Sequence, residues 1–376
     1  MAFFLLGAAA CDSTAKVTDS EQTTHGADAS ATESNAETEN KAETTSDKET
    51  ETELTQTVDE KEGEAKVMSS NGFNYTARGY LSVVGNTFTF NQGLEVTFPE
   101  NYFADSFNRI SFSYKSTAPM KVYVYYTLDG ALAEDYFFLD AFKDSFSGLI
   151  GSYLDGISGA KLEKVVFNTC EKKDATLELY GISTEAIPLY EDDLCVENER
   201  FKIGVRLSWG GAMTYFEDKK DGIADLGNLV NIHDTGRLIQ QSFYGTYSNG
   251  EYVSGTQSGG TIWPYNPVQG GDKKNNGSRR LIDVAVGEDY IYIASQALDW
   301  GFDNNISFCY YENRYTVRDD HVLVDNVATD YSGWKHRSGG QEIPAVYLVS
   351  YFDTLCYYNG AEPWTKDKEG LYYVDN

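Results

Sequence analysis

Beyond residue 66 the chain alternates apolar and polar positions with a period of two. Thr87-Phe88-Thr89-Phe90, Leu94-Glu95-Val96-Thr97-Phe98 and Ile110-Ser111-Phe112-Ser113-Tyr114 each put their apolar side chains on one face, as half-buried strands do. Lys121 to Tyr126 and Tyr136 to Leu139 flank a Leu128-Asp129-Gly130 turn, and the runs Leu162 to Phe167 and Ala175 to Tyr180 follow. Phe146 to Leu154 is expected to be a short helical or irregular segment. Strands at this spacing, with turns between them, predict an antiparallel sandwich over 67–188, closed near Ile187-Pro188. The pattern resumes with Phe201 to Val205, a glycine break at Gly210-Gly211, then Ile291 to Ala294, Ser307 to Tyr311 and Val322 to Val324. This predicts a second, larger β-sandwich over 190–376 and an all-β fold class.

The first 66 residues follow neither pattern. Residues 1–11, MAFFLLGAAAC, carry a short apolar run, small residues and then Cys11, the order of a bacterial lipoprotein signal, although no Lys or Arg precedes the run. Cys11 is therefore expected to be lipidated. Residues 12–66 hold 16 acidic and 5 basic residues, no aromatic residue, and only Val17, Leu54 and Val58 as large aliphatics. Such a stretch cannot bury enough apolar surface to offset its ordering entropy, and it is expected to be a disordered acidic tether. Signal, tether and folded cargo together predict a protein lipid-anchored on the extracellular face of a bacterial cell membrane.

Charge narrows the partners. The 376 residues carry 30 Lys and Arg against 58 Asp and Glu, a formal net charge of −28. A general nucleic-acid binder needs basic surface for phosphate, so that class is excluded, as is a polybasic membrane-surface protein. No apolar run reaches the roughly 18–20 residues of a spanning helix. The 28 Tyr suit sheet surfaces and polar ligand faces. Among them Tyr123, Tyr125, Tyr126 and Tyr136 are candidates for an aromatic platform, with division between core and ordinary exposed strand the plainer reading.

The residues with chemistry concentrate in the second region. Two segments place ligand-competent polar side chains beside glycines and aromatics: His233-Asp234-Thr235-Gly236-Arg237-Leu238-Ile239-Gln240-Gln241 and Trp263-Pro264-Tyr265-Asn266-Pro267-Val268-Gln269-Gly270-Gly271-Asp272. Glycine lets backbone approach a ligand. A guanidinium such as that of Arg237 clamps carboxylates or bridges hydroxyls. Amides and carboxylates pair with sugar hydroxyls as donors and acceptors, which nominates Gln240, Gln241, Asn266, Gln269 and Asp272, and Trp209, Trp263 and Trp300 are candidates for stacking on sugar faces. His233, Asp234 and Glu342 are the candidate acid/base groups, because His titrates near neutral pH and carboxylates complete such pairs. Asp330 and His336, flanking a Gly333-Trp334 turn, are weaker candidates. No His or Cys cluster has zinc-ligand spacing, no calcium loop is present, and no phosphate loop, dinucleotide fingerprint or Gly-x-Ser-x-Gly occurs, so neither metal nor cofactor is expected. With Cys11 lipidated, Cys170, Cys195, Cys309 and Cys356 remain, and their pairing is open.

The first region resembles, in architecture alone, the jelly-roll carbohydrate-binding modules of secreted glycan-active proteins. The two polar segments resemble those of secreted gut-bacterial proteins whose domain is similar to the galactose-mutarotase-like supersandwich, a fold found in sugar epimerases and in domains of glycoside hydrolases and polysaccharide lyases. The resemblance implies a sugar ligand but transfers no catalytic residue. A complete supersandwich usually needs more than residues 190–376, so further strands beyond Asn376 are expected. Three functions follow as alternatives: a carbohydrate-active surface protein that binds and cleaves a polysaccharide or oligosaccharide as a hydrolase or lyase, a non-catalytic glycan-capture lipoprotein, or a structural or adhesive surface protein. The site residues are expected to converge on one concave face, with Trp263 or Trp300 on its wall.

Overall fold

The computed structural model describes residues 56–57, 66–70, 73–78, 80–99, 103, 107–151, 160–170, 174–220, 223–256, 260–274, 280–337, 339–358 and 369–373. Cys11, the signal and most of the expected tether lie outside the described residues. The chain is all-β, and every strand pairing among the described residues is antiparallel.

The first region contains β1 (Gln56–Thr57), β2 (Lys66–Ser70), β3 (Phe73–Arg78), β4 (Leu81–Val84), β5 (Thr87–Phe90), β6 (Gly93–Thr97), β7 (Arg109–Ser116), β8 (Met120–Leu128), β9 (Ala131–Leu139), β10 (Ser145–Leu149), β11 (Lys161–Thr169) and β12 (Ala175–Glu185). They form two six-stranded sheets, ordered β1-β4-β5-β12-β7-β10 and β2-β3-β6-β11-β8-β9. The period-two residues of both sheets meet in one core, which includes Phe88, Phe90, Phe112, Val122, Val124, Val165 and Phe167. Each such side chain contributes about 1.5–3 kcal/mol on burial. Between β8 and β9 the two turn residues, Asp129 (φ 51°) and Gly130 (φ 77°), both take the left-handed conformation that suits a two-residue hairpin.

Two expectations change here. Ser145–Leu149 is a strand rather than a helical segment, because Phe146 packs against Phe112 and Phe137 while the strand pairs along β7. Gln56–Thr57 pairs with β4, so sheet pairing begins inside the stretch assigned to the tether. The tyrosine run divides, with Tyr126 buried in the core. Tyr123, Tyr125 and Tyr136 share the outer face, and Lys121 lies over the Tyr123 and Tyr136 rings.

The second region contains β13 (Asp193–Glu197), β14 (Phe201–Arg206), β15 (Ala212–Asp218), β16 (Ile239–Ser242), β17 (Pro267–Val268), β18 (Arg280–Val286), β19 (Tyr290–Asp299), β20 (Ile306–Val317), β21 (Val322–Asp330) and β22 (Glu342–Val346), with β23 (Thr354–Tyr358) and β24 (Glu369–Tyr373) as a separate pair. The first ten make one sheet ordered β13-β14-β15-β16-β17-β19-β20-β21, with β18 on β19 and β22 on β16. The sheet folds over itself in a sandwich-like arrangement, so that Ile203, Val205 and Met213 share a core with Ile291, Ile293, Tyr315 and Val324. At its centre the Gly210 carbonyl accepts from Gln269 Nε2 (2.9 Å) and Ser295 Oγ (3.0 Å), and the Gly211 carbonyl accepts from the Tyr315 hydroxyl (3.1 Å).

The two regions are joined by a packed seam. Ile282, Ala294 and Tyr310 of the second belong to the hydrophobic cluster of the first. Arg109 pairs with Asp283 (2.8 Å), Arg280 with Asp135 (3.3 Å) and Lys143 with Glu312. Burial pushes the Asp283 carboxyl up despite Arg109. Phe138 stacks on Tyr331 with ring centres 5.1 Å apart, and its N–H donates to the Tyr310 hydroxyl (3.1 Å). Cys195 and Cys309 are free thiols.

Candidate functional site

The central strand β16 pairs sparingly with its neighbours. Ser242 sits opposite Val268 of β17 on one side and Glu342 of β22 on the other. These three residues form the floor of an open cleft of about 210 Å³, whose sides include Asp234, Arg237, Tyr244, Trp263, Trp300 and Tyr347.

Local hydrogen bonds hold each wall. Asp234 caps its own turn: Oδ1 accepts from the Gly236 N–H (2.9 Å) and Oδ2 pairs with Arg237 Nη1 (2.5 Å). Trp300 lies so close to Gly236 that a Cβ there would meet its ring at 2.8 Å, which is why a glycine is needed inside this turn. Trp263 donates its indole N–H to Asn266 Oδ1 (2.7 Å), and Asn266 Nδ2 donates to Ser242 Oγ and to the Phe243 carbonyl, both at 2.9 Å. Asn266 is thus saturated, and it fixes the Trp263 ring. Gln341 clamps the backbone of Tyr244, accepting from its N–H (2.6 Å) and donating to its carbonyl (3.1 Å).

Glu342 gathers two phenols. The Tyr347 hydroxyl donates to Glu342 Oε1 (3.4 Å). Burial, followed by the nearby Glu342 charge, pushes the Tyr244 hydroxyl up to about 12 and raises that of Tyr347. Both phenols therefore stay protonated at neutral pH and act as donors. The cleft brings aromatic faces, a guanidinium, two carboxylates and two phenol hydroxyls into one small opening.

Of the residues singled out in the sequence, Asp234, Arg237, Glu342, Trp263, Asn266 and Trp300 line this cleft. The others do not join them. His233 is exposed outside it, its N–H donating to Asn231 Oδ1 (3.0 Å). Gln240, Gln241, Gln269 and Asp272 are buried behind the cleft and spend their groups on the fold. Gln240 bridges the Thr235 carbonyl (3.1 Å) and the Gly270 N–H (2.7 Å). Gln269 accepts from the Gln241 N–H (3.1 Å) and donates to the Gly210 carbonyl and to Asn313 Oδ1 (2.7 Å). Gln241 donates to the Glu312 carbonyl (3.0 Å), and its Oε1 is buried with no partner. Asp272 accepts from the N–H groups of Lys274 (2.8 Å) and Asn304 (2.6 Å). Arg237 accordingly pairs with Asp234 rather than Asp272. Tyr244 and Tyr347 were missed in the sequence. Tyr244 stands three residues after the second polar glutamine, and this proximity was the available signal.

Asp330, Ser332 and His336 come together like a hydrolytic triad but cannot act as one. His336 Nδ1 accepts from the Thr246 N–H (3.2 Å), so the ring proton is on Nε2. That same Nε2 faces both Asp330 Oδ2 (2.9 Å) and Ser332 Oγ (3.1 Å), leaving no free base for the serine. The His336 ring stacks on Tyr265, whose hydroxyl donates to Asp330 Oδ1 (3.1 Å), and the group pins the loop after β21. Among the described residues, no three His, Cys, Asp or Glu side chains cluster as metal ligands do.

No protein-family model matches the chain, and comparison with curated proteins finds no match.

Proposed function

We propose that the protein is a glycan-capture protein whose second region binds a sugar unit in the Trp263–Trp300 cleft. One observation carries the reading: four aromatic side chains wall a single opening that also holds Arg237, Asp234 and Glu342. Pyranose rings present C–H faces that stack on aromatic rings and hydroxyls that pair with carboxylates and guanidinium groups. The cleft is smaller than the roughly 300–1,000 Å³ of sites that engulf a ligand, which suits one unit or the end of a longer chain. Its phenol oxygens accept from sugar hydroxyls while their protons are held by Glu342. The partner is thus a polysaccharide or oligosaccharide, and the proposed location is the outer face of a bacterial membrane, with Cys11 carrying the lipid.

Calorimetric titration with oligosaccharides tests the binding. Trp263→Ala is expected to weaken it at least tenfold, and unchanged affinity would remove the cleft from consideration. Cys11→Ser should release the protein into the medium, and an unaltered membrane fraction would refute the anchor. A second reading, hydrolysis, is favoured by the presence of two carboxylates, Asp234 and Glu342, on the same cleft. Reducing-end release from a bound oligosaccharide, lost in Glu342→Gln, would establish it over capture.

A further inference from the structure

Apart from the cleft, a larger cavity of about 550 Å³ opens at the seam between the two regions. Its first wall is built from small hydroxyl residues. Ser111 and Ser113 of β7, Ser145 and Ser147 of β10, and Ser183 of β12 all line it. These strands are neighbours, and their register makes the serines contiguous: Ser145 is opposite Ser113, Ser147 opposite Ser111, and Ser111 opposite Ser183. Residues two apart on a strand share a face, so the patch is a flat array of hydroxymethyl groups where a sheet surface commonly carries larger side chains. The facing wall is aromatic, with Phe138, Tyr292, Tyr310 and Tyr331.

Two of the cavity's carboxylates are paired with cations. Asp283 is held by Arg109, Glu312 by Lys143 and by the Tyr292 hydroxyl (3.0 Å), and Asp140 Oδ1 by the Phe142 N–H (2.9 Å). Ser111 and Ser183 bond each other (2.9 Å) and Ser145 donates to Asp144 Oδ1 (3.2 Å), so these serines present acceptor lone pairs to the space, which the hydroxyls of Ser113, Tyr310 and Tyr331 also face. Tyr310 is only 5% exposed; it accepts from the Phe138 N–H, and its own proton has no acceptor among the described residues. The Tyr331 hydroxyl has no hydrogen-bond partner among the described residues. Phe142, on the turn that brings Asp140 and Lys143 to the wall, is 97% exposed.

We infer that the seam cavity is a second ligand site, taking a neutral polyhydroxylated molecule of sugar type between the serine face and the tyrosine face. Hydroxyls both donate and accept, so they match a ligand whose groups do the same. An anionic ligand would find the Lys143 ammonium already engaged by Glu312. The aromatic wall supplies stacking area, and the volume falls within the range of small-molecule sites. The inference stands on the seam alone but shares a ligand class with the cleft, so the two sites must be tested apart.

The experiment is calorimetric titration of the full chain with maltotriose, cellotriose, xylotriose, mannotriose and chitotriose, each to on the order of 10 mM. It is repeated on a cleft variant, Trp263→Ala with Trp300→Ala, and on that variant carrying Ser113→Leu with Ser145→Leu to fill the cavity. Both serines are exposed, so the leucines are compatible with folding, which circular dichroism checks. The cleft variant is expected to keep binding one of the trioses, and the added leucines to weaken that binding at least tenfold. Tyr331→Phe, nearly isosteric, should weaken it about threefold to tenfold through loss of one hydrogen bond. Full loss of binding in the cleft variant, or absence of binding of every triose to the wild type, overturns the seam site. So does unchanged affinity in the leucine variant, or in Tyr331→Phe should the leucine variant be misfolded. Failure of the cleft reading looks different: the cleft substitutions would then leave the wild-type titration unaltered.

Discussion

The polar residues around β16 have two opposite fates. On one side Asp234, Arg237, Trp263 and Glu342 face an open cleft. On the other, Gln240, Gln241, Gln269 and Asp272 are sealed in. The buried set makes up for missing strand pairing. β16 meets β22 at three residue pairs but β15 at only one and β17 at one, so on that side much of the local backbone lacks a ladder partner. Side-chain amides substitute for it, reaching the Thr235 and Gly210 carbonyls and the Gly270 and Gln241 N–H groups. Buried backbone groups must be paired, and here glutamine does the pairing. Apart from Glu342 of β22, both sets come from the same two segments, yet one holds the fold and the other faces solvent.

The sharpest way to break this contrast is Gln269→Leu. It leaves the Gln241 N–H and Asn313 Oδ1 without their partner in the interior, at about 1–3 kcal/mol for each group, and takes one of two donors from the Gly210 carbonyl. A loss of at least about 3 kcal/mol is expected in urea unfolding, with sugar binding retained in the protein that remains folded. A change below about 1 kcal/mol would show that the amide layer is dispensable.

Asp299 gives the next largest effect. It is buried, accepts from the Tyr252 hydroxyl (2.9 Å) and the Gly301 N–H (3.0 Å), and burial raises its pKa to about 6. Because the folded value lies above the unfolded one, its contribution to stability is fully present below about pH 4 and is lost as pH rises through about 6. That rise corresponds to roughly 3 kcal/mol. Asp299→Asn should therefore gain on the wild type between pH 4 and pH 7, and thermal unfolding across that range measures the gain. Parallel curves for the two proteins would contradict the assignment.

Asn266 bridges the two sets, being buried itself while orienting Trp263. Asn266→Ala is expected to cost about 1–2 kcal/mol and also to weaken sugar binding severalfold, whereas a purely structural residue would change stability alone. The smallest stability change is expected of Arg237→Ala. Its pair with Asp234 is half exposed, and such pairs contribute less than about 1 kcal/mol.

Many strands could be read from the alternation, because one face is buried and the other wet: β8 runs Met120-Lys121-Val122-Tyr123-Val124 in strict alternation of burial. β16 could not be read that way. All four of its residues, Ile239-Gln240-Gln241-Ser242, are buried, so polarity there does not indicate which face is solvent. That is why the glutamines were assigned to the site along with Arg237. Ser145–Leu149 was misjudged for another reason: its strand character comes from pairing with β7, more than 30 positions away in sequence, and from the Phe112–Phe146 contact. The cleft's tryptophans and charges were recognisable as residue types. Tyr347 was not, since it lies just past the end of β22 and reaches Glu342 only through the fold.

The most direct measurement of the central claim compares oligosaccharide affinity and thermal midpoint in Trp263→Ala and Arg237→Ala against the wild type. The account predicts at least a tenfold loss of affinity in each, with the Arg237→Ala midpoint within a few degrees of wild type. Wild-type affinity in both variants, or binding lost only in step with unfolding, would contradict it.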